Sequence, residues 1–189
     1  MAAAARPDRG EALIVRPVRA DDAAAIADIY APYVLTTPIS LEDEPPDAAE
    51  IGRRIAECGG LYPWLVAEVD GRVAGYAYAT RFRPRLGYRF TVETTVYVDP
   101  AHQRTGIAAA LYEPLLDTLV RQGFTQAIAA ISLPNQASVA LHERFGFERC
   151  GVYHQVGWKL GQWWDVGLWQ RRLAAVRTPP EEPVPWGAP

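Results

Sequence analysis

The segment TVETTVYVDPAHQRTGIAAAL, residues 91–111, passes from a strand pattern to a helix pattern through a short polar loop. β-Branched and aromatic residues dominate its first part, and an Asp-Pro dipeptide ends that run, which predicts a strand. The alanine-rich part predicts a helix over about residues 105–122, ended by Gly123. The first turn of a helix leaves amide groups unpaired at the positive end of its dipole. The loop is therefore a candidate anion site, and Gly106 permits close approach to the backbone.

This loop has two interpretations when its residues are taken alone. It is either a phosphate-binding loop or an ordinary connection in which the glycine serves the backbone geometry. It is not a P-loop, because no Lys-Ser or Lys-Thr pair follows the glycine. One glycine is also too few for the dinucleotide-binding fingerprint.

Outward from this segment, strand and helix patterns follow one another along most of the chain. Towards the N-terminus they predict a strand in ALIVRPVR, a helix from Asp21 to about Tyr30, a helix capped by Asp47, and a hairpin that turns at Asp70-Gly71. Towards the C-terminus they predict a strand in QAIAAIS, a helix in NQASVALHERFGF and a closing hairpin. The order β-α-α-β-β-β-α-β-α-β-β predicts an α/β fold with a mixed, mostly antiparallel sheet.

The composition is typical of a soluble protein with one folded domain. The chain has 189 residues, of which 49% are hydrophobic and 22% charged. A net charge of −3 argues against a nucleic-acid or anionic-membrane partner, and no apolar run reaches membrane-spanning length. Two cysteines without a CxxC pair and three scattered histidines predict free thiols in a reducing cytoplasm and no metal site.

We expect the folded domain to cover residues 12–174, with a tail on each side. Residues 1–11 lack the apolar region of a secretory signal, and we predict that they are disordered. Residues 175–189 are rich in proline and acidic residues, and we predict a disordered or extended tail. Trp186 is the residue in that tail that suggests docking.

The motif Gln103-x-x-Gly106-x-Ala108, after a strand ending VYV, resembles the acyl-CoA pyrophosphate loop of the GCN5-related N-acetyltransferases (GNAT). The blocks YPWLVAEVDGRVAGYAY, ETTVYVDPAHQRTG, LPNQASVALHERFGF and GWKLGQWWDVGLWQ together resemble the phosphinothricin and methionine sulfone/sulfoximine N-acetyltransferases. The resemblance covers about residues 12–173. It implies helices on both faces of the sheet, splayed central strands that hold acetyl-CoA, a small amine substrate and a homodimer.

The resemblance also assigns residues to parts of acetyl-CoA. It implies that the pantetheine arm pairs with strand backbone at Val96, Tyr97 and Val98, and that Asn135 hydrogen-bonds the pantetheine or the thioester. It implies that the pyrophosphate is bound by the backbone amides of Arg104, Thr105, Gly106, Ile107, Ala108 and Ala109.

Three side chains are implied in catalysis, and each has a structural alternative. Glu93 and His142 occupy the positions proposed to deprotonate the substrate ammonium, and Tyr112 the position that protonates the CoA thiolate. A carboxylate in a central strand is costly unless it is paired or solvated, so a salt bridge from Glu93 to Arg83 or Arg89 is the alternative. A helix histidine is more often structural than catalytic, and core packing accounts equally well for Tyr112.

The stretch RFRPRLGYRF, residues 81–90, interleaves arginines with aromatic residues. Such a stretch binds single-stranded nucleic acid in some proteins, but the acidic chain argues against that use here. The fork of an arginine matches the oxygens of a carboxylate or a phosphinate. Arg83 and Arg89 are therefore candidate substrate-binding residues.

These patterns together predict an acetyl-CoA-dependent N-acetyltransferase of a small amino-acid-like amine, with direct attack of the amine on the thioester. The alternatives are an N-acetyltransferase of a protein N-terminus or another amine, and a CoA-binding sensor module without turnover. Two residues depart from the family pattern. Ala108 stands where many acetyltransferases have a second glycine, and Pro114 is expected to kink the helix that carries Tyr112.

Overall fold

A computed structural model of the protein describes residues 13–186, and they form a seven-stranded sheet with helices on both faces. The strands are β1 Leu13–Pro17, β2 Trp64–Val69, β3 Arg72–Arg81, β4 Thr91–Val98, β5 Gln126–Leu133, β6 Glu148–Lys159 and β7 Gln162–Arg172. The helices are α1 Ala23–Thr36, α2 Ala48–Glu57, α3 Ile107–Gln122 and α4 Gln136–Arg144. The predicted order of strands and helices is confirmed.

The sheet is antiparallel except at its centre. Its strand order is β1–β2–β3–β4–β5–β7–β6, and only β4 and β5 run parallel. They pair from Thr91 to Glu93 against Gln126 to Ile128, and beyond these pairs the two strands diverge. The predicted mixed sheet with splayed central strands is therefore confirmed.

The two faces of the sheet carry separate hydrophobic clusters. Helix α3 packs on one face through Leu111, Leu115 and Leu119, which are all fully buried. Helices α1 and α2 pack on the other face around Ile26 and Ile51. Because side chains alternate along a strand, successive residues of β4 contribute to different clusters, and this alternation decides what each candidate site residue contacts.

Local sequence signals explain most of the element boundaries. Asp70 and Gly71 have φ values of 48° and 79°, the positive values that a type I′ hairpin turn requires at both positions. The Asp47 side chain accepts a hydrogen bond from the Glu50 amide at 2.8 Å, as a helix N-cap does. Gly123 ends α3 in the left-handed conformation, with a φ of 90°.

Helix α1 is longer than the sequence predicts. The prediction ended it near Tyr30, but the helix continues through Pro32 to Thr36. Proline removes one backbone hydrogen bond, and burial of Tyr33 and Val34 against the sheet compensates for that loss. Tertiary packing therefore sets this boundary, and it places Tyr33 on the helix.

The part of the C-terminal tail that the structure describes is extended and docked. Val184 exchanges hydrogen bonds with Gln122, and the Trp186 amide donates to the Gly60 carbonyl at 2.6 Å. Trp186 also packs against the hydrophobic cluster under α3. The predicted tail over residues 1–11 lies outside the described residues. None of the helices within residues 13–186 is both long and apolar enough to cross a membrane.

Candidate active site

The divergence of β4 from β5 opens a cleft at the centre of the sheet. Val96, Tyr97 and Val98 lie on β4 beyond the last pairing with β5. Their backbone is therefore placed to pair with an extended ligand such as a pantetheine arm. The Val98 carbonyl already accepts a hydrogen bond from the Tyr33 hydroxyl at 2.5 Å, so one end of this edge is held by α1.

The loop after β4 has the backbone shape of an anion site. Arg104 has a φ of 64° and Gly106 a φ of 93°, both in the left-handed region. Left-handed residues in such a turn direct several amide groups into one concavity, which is a form that binds anions. An added Cβ at Gly106 would meet no atom within 4 Å, so the space above this backbone is open. The loop therefore has a backbone shape suited to an anion.

The first turn of α3 extends this concavity. The Ala110 amide donates to the Gly106 carbonyl at 3.0 Å, which begins the helical hydrogen-bond pattern. The amides of Ile107, Ala108 and Ala109 precede that bond and have no carbonyl partner within α3. Ala108 is helical, so its backbone conformation does not require the second glycine that many acetyltransferases have.

Glu93 lies at the foot of the cleft, at the last pair between β4 and β5. Its side chain shares a face of β4 with Tyr97, which packs against α1 and is opposite to the face that α3 covers. Burial raises the pKa of the Glu93 carboxyl, and the charge of Arg83 partly opposes this shift. Among residues 13–186 it forms no ion pair with Arg83 or Arg89, so the salt-bridge alternative has no support in the geometry.

His142 and Tyr112 lie together on the other face of the sheet. Both are buried, at 3% and 0% exposure. The His142 Nδ1 atom lies 2.7 Å from the Ser138 carbonyl, which only accepts, so Nδ1 carries the proton. Nε2 then accepts the hydrogen of the Tyr112 hydroxyl at 2.7 Å, and the Thr94 hydroxyl, 2.8 Å away, donates to the Tyr112 oxygen.

The charge states of this chain follow from its burial. Burial lowers the pKa of His142, so the ring is neutral near neutral pH. Burial also raises the pKa of Tyr112 above its ordinary value, so the hydroxyl keeps its proton. Pro114 lies inside α3, which nevertheless continues to Gln122 and keeps Tyr112 against His142.

The remaining predicted residues have different surroundings. Arg83 stacks over the Phe82 ring at 4.8 Å and contributes positive charge towards Glu93. Arg89 is engaged by the Glu182 carboxylate of the C-terminal tail, at 2.6 Å. The Asn135 side chain caps α4 by accepting from the Ser138 amide at 3.1 Å.

A cavity of about 510 Å³ lies beside the start of α4. Asn135, Trp163 and Trp164 contribute to its lining. The Asn135 carbonyl oxygen is used by the helix cap, so its amide nitrogen is the group available to a ligand. Within residues 13–186 the structure contains no group of three or more side chains suited to a metal ion.

Two residues near the site were missed by the sequence prediction. The sequence did contain a sign of the role of Thr94, because this polar residue lies on the apolar face of β4 that also carries Val92. Tyr33 was missed because the predicted helix ended before it. The Gln103 side chain donates to the Tyr33 hydroxyl at 3.0 Å, which links the loop to α1.

Comparison with known proteins gives the same result as the geometry. Residues 15–168 match the family model described as "Acetyltransferase (GNAT) domain". The chain is 43% identical to a phosphinothricin N-acetyltransferase of Streptomyces viridochromogenes, covering 90% of this chain and 93% of that protein. It is 40% identical to an L-methionine sulfoximine/L-methionine sulfone acetyltransferase of Salmonella typhimurium, over 80% of this chain and 90% of that protein.

A solved structure extends this similarity to the fold and to acetyl-CoA. The phosphinothricin acetyltransferase of Sinorhizobium meliloti in complex with acetyl-CoA is 37% identical, with a TM-score of 0.85. The match covers 91% of this chain and 93% of that one. The family match, the relatives and the splayed sheet together show that this chain belongs to the GNAT acetyltransferase family and is an acetyl-CoA-dependent N-acetyltransferase.

Proposed function

We propose that the protein transfers the acetyl group of acetyl-CoA to the amino group of a small amino-acid-like substrate of the phosphinothricin, methionine sulfoximine or methionine sulfone type. The relatives that carry these names and cover most of the chain support this substrate class. The observation that carries the proposal is Glu93, a carboxylate without an ion pair among the described residues, at the foot of the cleft.

In the proposed mechanism, Glu93 removes a proton from the substrate ammonium. A carboxyl whose pKa is raised by burial is a stronger base than an ordinary glutamate, and it becomes ionised only at higher pH. The free amine then attacks the carbonyl carbon of the thioester. Backbone amides of β4 beyond the pairing with β5 stabilise the oxygen that gains charge.

Tyr112, which was predicted to protonate the departing thiolate, lies on the opposite face of the sheet from Glu93. The Tyr112 proton is directed to His142, and burial raises the pKa of the hydroxyl. The Thr94 hydroxyl in turn donates to Tyr112, so neither hydroxyl has a free proton for the thiolate in this arrangement, and we assign protonation of the thiolate to water as CoA leaves. His142 orients Tyr112 in this scheme and does not contact the amine, because α4 and Glu93 lie on different faces.

We assign recognition of the acidic group of the substrate to Arg83. Its guanidinium contributes positive charge beside Glu93 and is not part of an ion pair among the described residues. Arg89 was predicted for the same role, but Glu182 engages it.

Replacing Arg83 by Gln is expected to raise KM for an anionic substrate more than Arg89→Gln does.

The quaternary structure and location belong to the same proposal. Hydrophobic side chains are exposed on the β6–β7 hairpin, including Trp158 at 56% and Trp163 at 57%. An apolar hairpin of this kind is suited to contact a second copy of the chain, and we propose a homodimer. Free thiols at Cys58 and Cys150 agree with a cytoplasmic location.

An acceptor screen tests the substrate class. Phosphinothricin, methionine sulfoximine, methionine sulfone and free amino acids are supplied with acetyl-CoA, and release of the CoA thiol is followed. We expect the phosphinothricin-type and methionine-derived amines to give the highest kcat/KM. Turnover only with peptides bearing a free N-terminus would contradict the proposal in favour of a protein N-acetyltransferase, and binding without turnover would favour a sensor module.

A further inference from the structure

We propose that Tyr33 of α1 is a positioning residue that holds the pyrophosphate loop in its binding conformation before acetyl-CoA arrives. The inference rests on the proposed assignment of residues 103–109 to the pyrophosphate. The hydrogen bond between Tyr33 and Gln103 links this loop to α1, a helix on the opposite face of the sheet from α3.

The Tyr33 hydroxyl is the centre of a two-bond connection. It donates to the Val98 carbonyl at 2.5 Å and accepts from the Gln103 side-chain amide at 3.0 Å. The ring is buried and lies 5.0 Å from the Tyr97 ring, measured between centroids. One hydroxyl therefore fixes the end of β4 and the start of the loop relative to each other.

This connection acts where the backbone is strained. Arg104, the next residue after Gln103, has a φ of 64°, a left-handed value that side-chain-bearing residues rarely adopt. Such a conformation persists only when its surroundings impose it. The Thr105 hydroxyl, which donates to the His102 carbonyl at 2.6 Å, constrains the loop from the other side.

The link to Tyr33 is the one that reaches outside the loop. Within the described chain, the other hydrogen bonds of residues 100–106 stay inside this segment or go to Asp99 and α3. Without the Gln103–Tyr33 bond, the strained backbone at Arg104 has fewer constraints. The amides are then expected to sample conformations that no longer converge on one point, and anion affinity falls.

The test removes only the hydroxyl. Tyr33→Phe keeps the ring in its aromatic cluster, so the fold is expected to persist, and thermal unfolding checks this. We expect CoA affinity, measured by isothermal titration calorimetry, to fall about three- to tenfold, the effect of losing one or two hydrogen bonds. The kcat/KM for S-acetylpantetheine, which lacks the pyrophosphate, is expected to fall less than the CoA affinity, because only the Val98 bond of Tyr33 lies on the pantetheine side.

Two further variants make the test specific. Gln103→Leu removes one of the two bonds of the Tyr33 hydroxyl and is expected to cause a loss no larger than that of Tyr33→Phe, with the double variant no worse than Tyr33→Phe alone. Tyr76→Phe is the matched control, because Tyr76 belongs to the same buried cluster and its hydroxyl makes no hydrogen bond within the described residues. Its CoA affinity is expected to equal that of the wild type.

Several outcomes would overturn the proposal. Unchanged CoA affinity in Tyr33→Phe would do so, as would equal losses with CoA and with S-acetylpantetheine, since packing of the cleft would then be the cause. Full additivity of Tyr33→Phe and Gln103→Leu would show that the two residues act independently. Gly106→Val distinguishes failure of the positioning role of Tyr33 from failure of the loop assignment. If it weakens CoA binding while Tyr33→Phe does not, the positioning role alone is wrong, and if it leaves CoA binding unchanged, the loop assignment fails with it.

Discussion

Burial affects Glu93 and His142 in the same sense, because it favours the uncharged form of each side chain. It raises the pKa of the carboxyl and lowers the pKa of the imidazole. The two residues nevertheless have different surroundings, since Glu93 is without an ion pair among the described residues and His142 is hydrogen-bonded at both nitrogens. This difference favours Glu93 as the base.

Replacing Glu93 by Gln is expected to lower kcat/KM by about 10²–10⁴-fold near neutral pH, which is the usual contribution of a general base. The deficit shrinks as pH rises, because a larger fraction of the amine is then already deprotonated. CoA affinity stays near the wild-type value. Rates from about pH 6 to about pH 9 check this, and near-normal activity over that range would exclude Glu93 as the base.

The same variant is expected to be more stable than the wild type at neutral pH. The folded-state pKa of Glu93 is raised above its unfolded value, so its contribution to stability is complete below the unfolded pKa and is lost as pH rises through the folded pKa. The glutamine amide cannot ionise, so Glu93→Gln avoids this loss. Thermal unfolding near neutral pH measures the difference, and a lower Tm for the variant would contradict the burial argument.

For His142 the sign of the pH dependence is reversed. Its folded-state pKa is lowered, so its contribution to stability is complete above the unfolded pKa of about 6.5 and is lost as pH falls towards the folded value. His142→Gln is expected to lower Tm near pH 7 but to reduce the further loss between about pH 7 and about pH 5. If Tm falls between about pH 7 and about pH 5 as steeply in the variant as in the wild type, other groups control the pH dependence of stability in that range.

At the scale of elements, the strand-loop-helix unit from β4 to α3 depends on Gly106. Gly106→Val places a β-branched residue at a φ of 93° and fills the open space above the loop. We expect at least about a tenfold loss of CoA affinity by calorimetry, since several amide contacts are lost together. Gly161→Val is a matched control, because that residue has a φ of 75° in the distant β6–β7 turn.

Both substitutions place valine at a positive φ, so comparing the two variants separates the effect of backbone strain from the loss of ligand contacts. Both are expected to lower Tm, whereas only Gly106→Val weakens CoA binding. Equal CoA affinity in the two folded variants would exclude the loop as the pyrophosphate site.

For the molecule as a whole, we expect docking of the C-terminal tail to contribute to stability. Trp186 packs on the cluster under α3 and its amide is hydrogen-bonded to Gly60. Trp186→Ala is expected to lower the free energy of unfolding by about 1–2 kcal/mol, the value for partial burial of a large apolar side chain. Val176→Ala is the control, because Val176 is 68% exposed. Urea titration measures both, and equal stabilities would contradict docking of the tail.

The proposed homodimer is tested at the same scale. Trp158→Asp introduces a charge on the exposed hairpin without removing a buried side chain. Light scattering is expected to give twice the chain mass of 20.9 kDa for the wild type and a smaller average mass for the variant. A wild-type mass equal to one chain would reject the dimer.

The order of elements, the β2–β3 turn and the anion loop were predicted because each depends on neighbouring residues. Asp70-Gly71 selects a type I′ turn locally, and the strand, glycine and helix start stand in one segment. The extension of α1 to Thr36 was not predictable in this way. It depends on burial of Tyr33 against a strand that is distant in sequence.

Local sequence patterns were enough to predict the α/β class, the family resemblance and an anion-binding loop, because hydrophobic periodicity, turn residues and motif spacing depend on neighbouring residues. The face of the sheet that each candidate residue occupies, and the partners that it meets there, became known from the folded structure. It separates Glu93 from His142, joins His142 to Tyr112, assigns Arg89 to Glu182 and connects Tyr33 to Gln103. The reason is physical: hydrogen bonding and burial depend on distances between elements, and these distances follow from the packing of the whole chain.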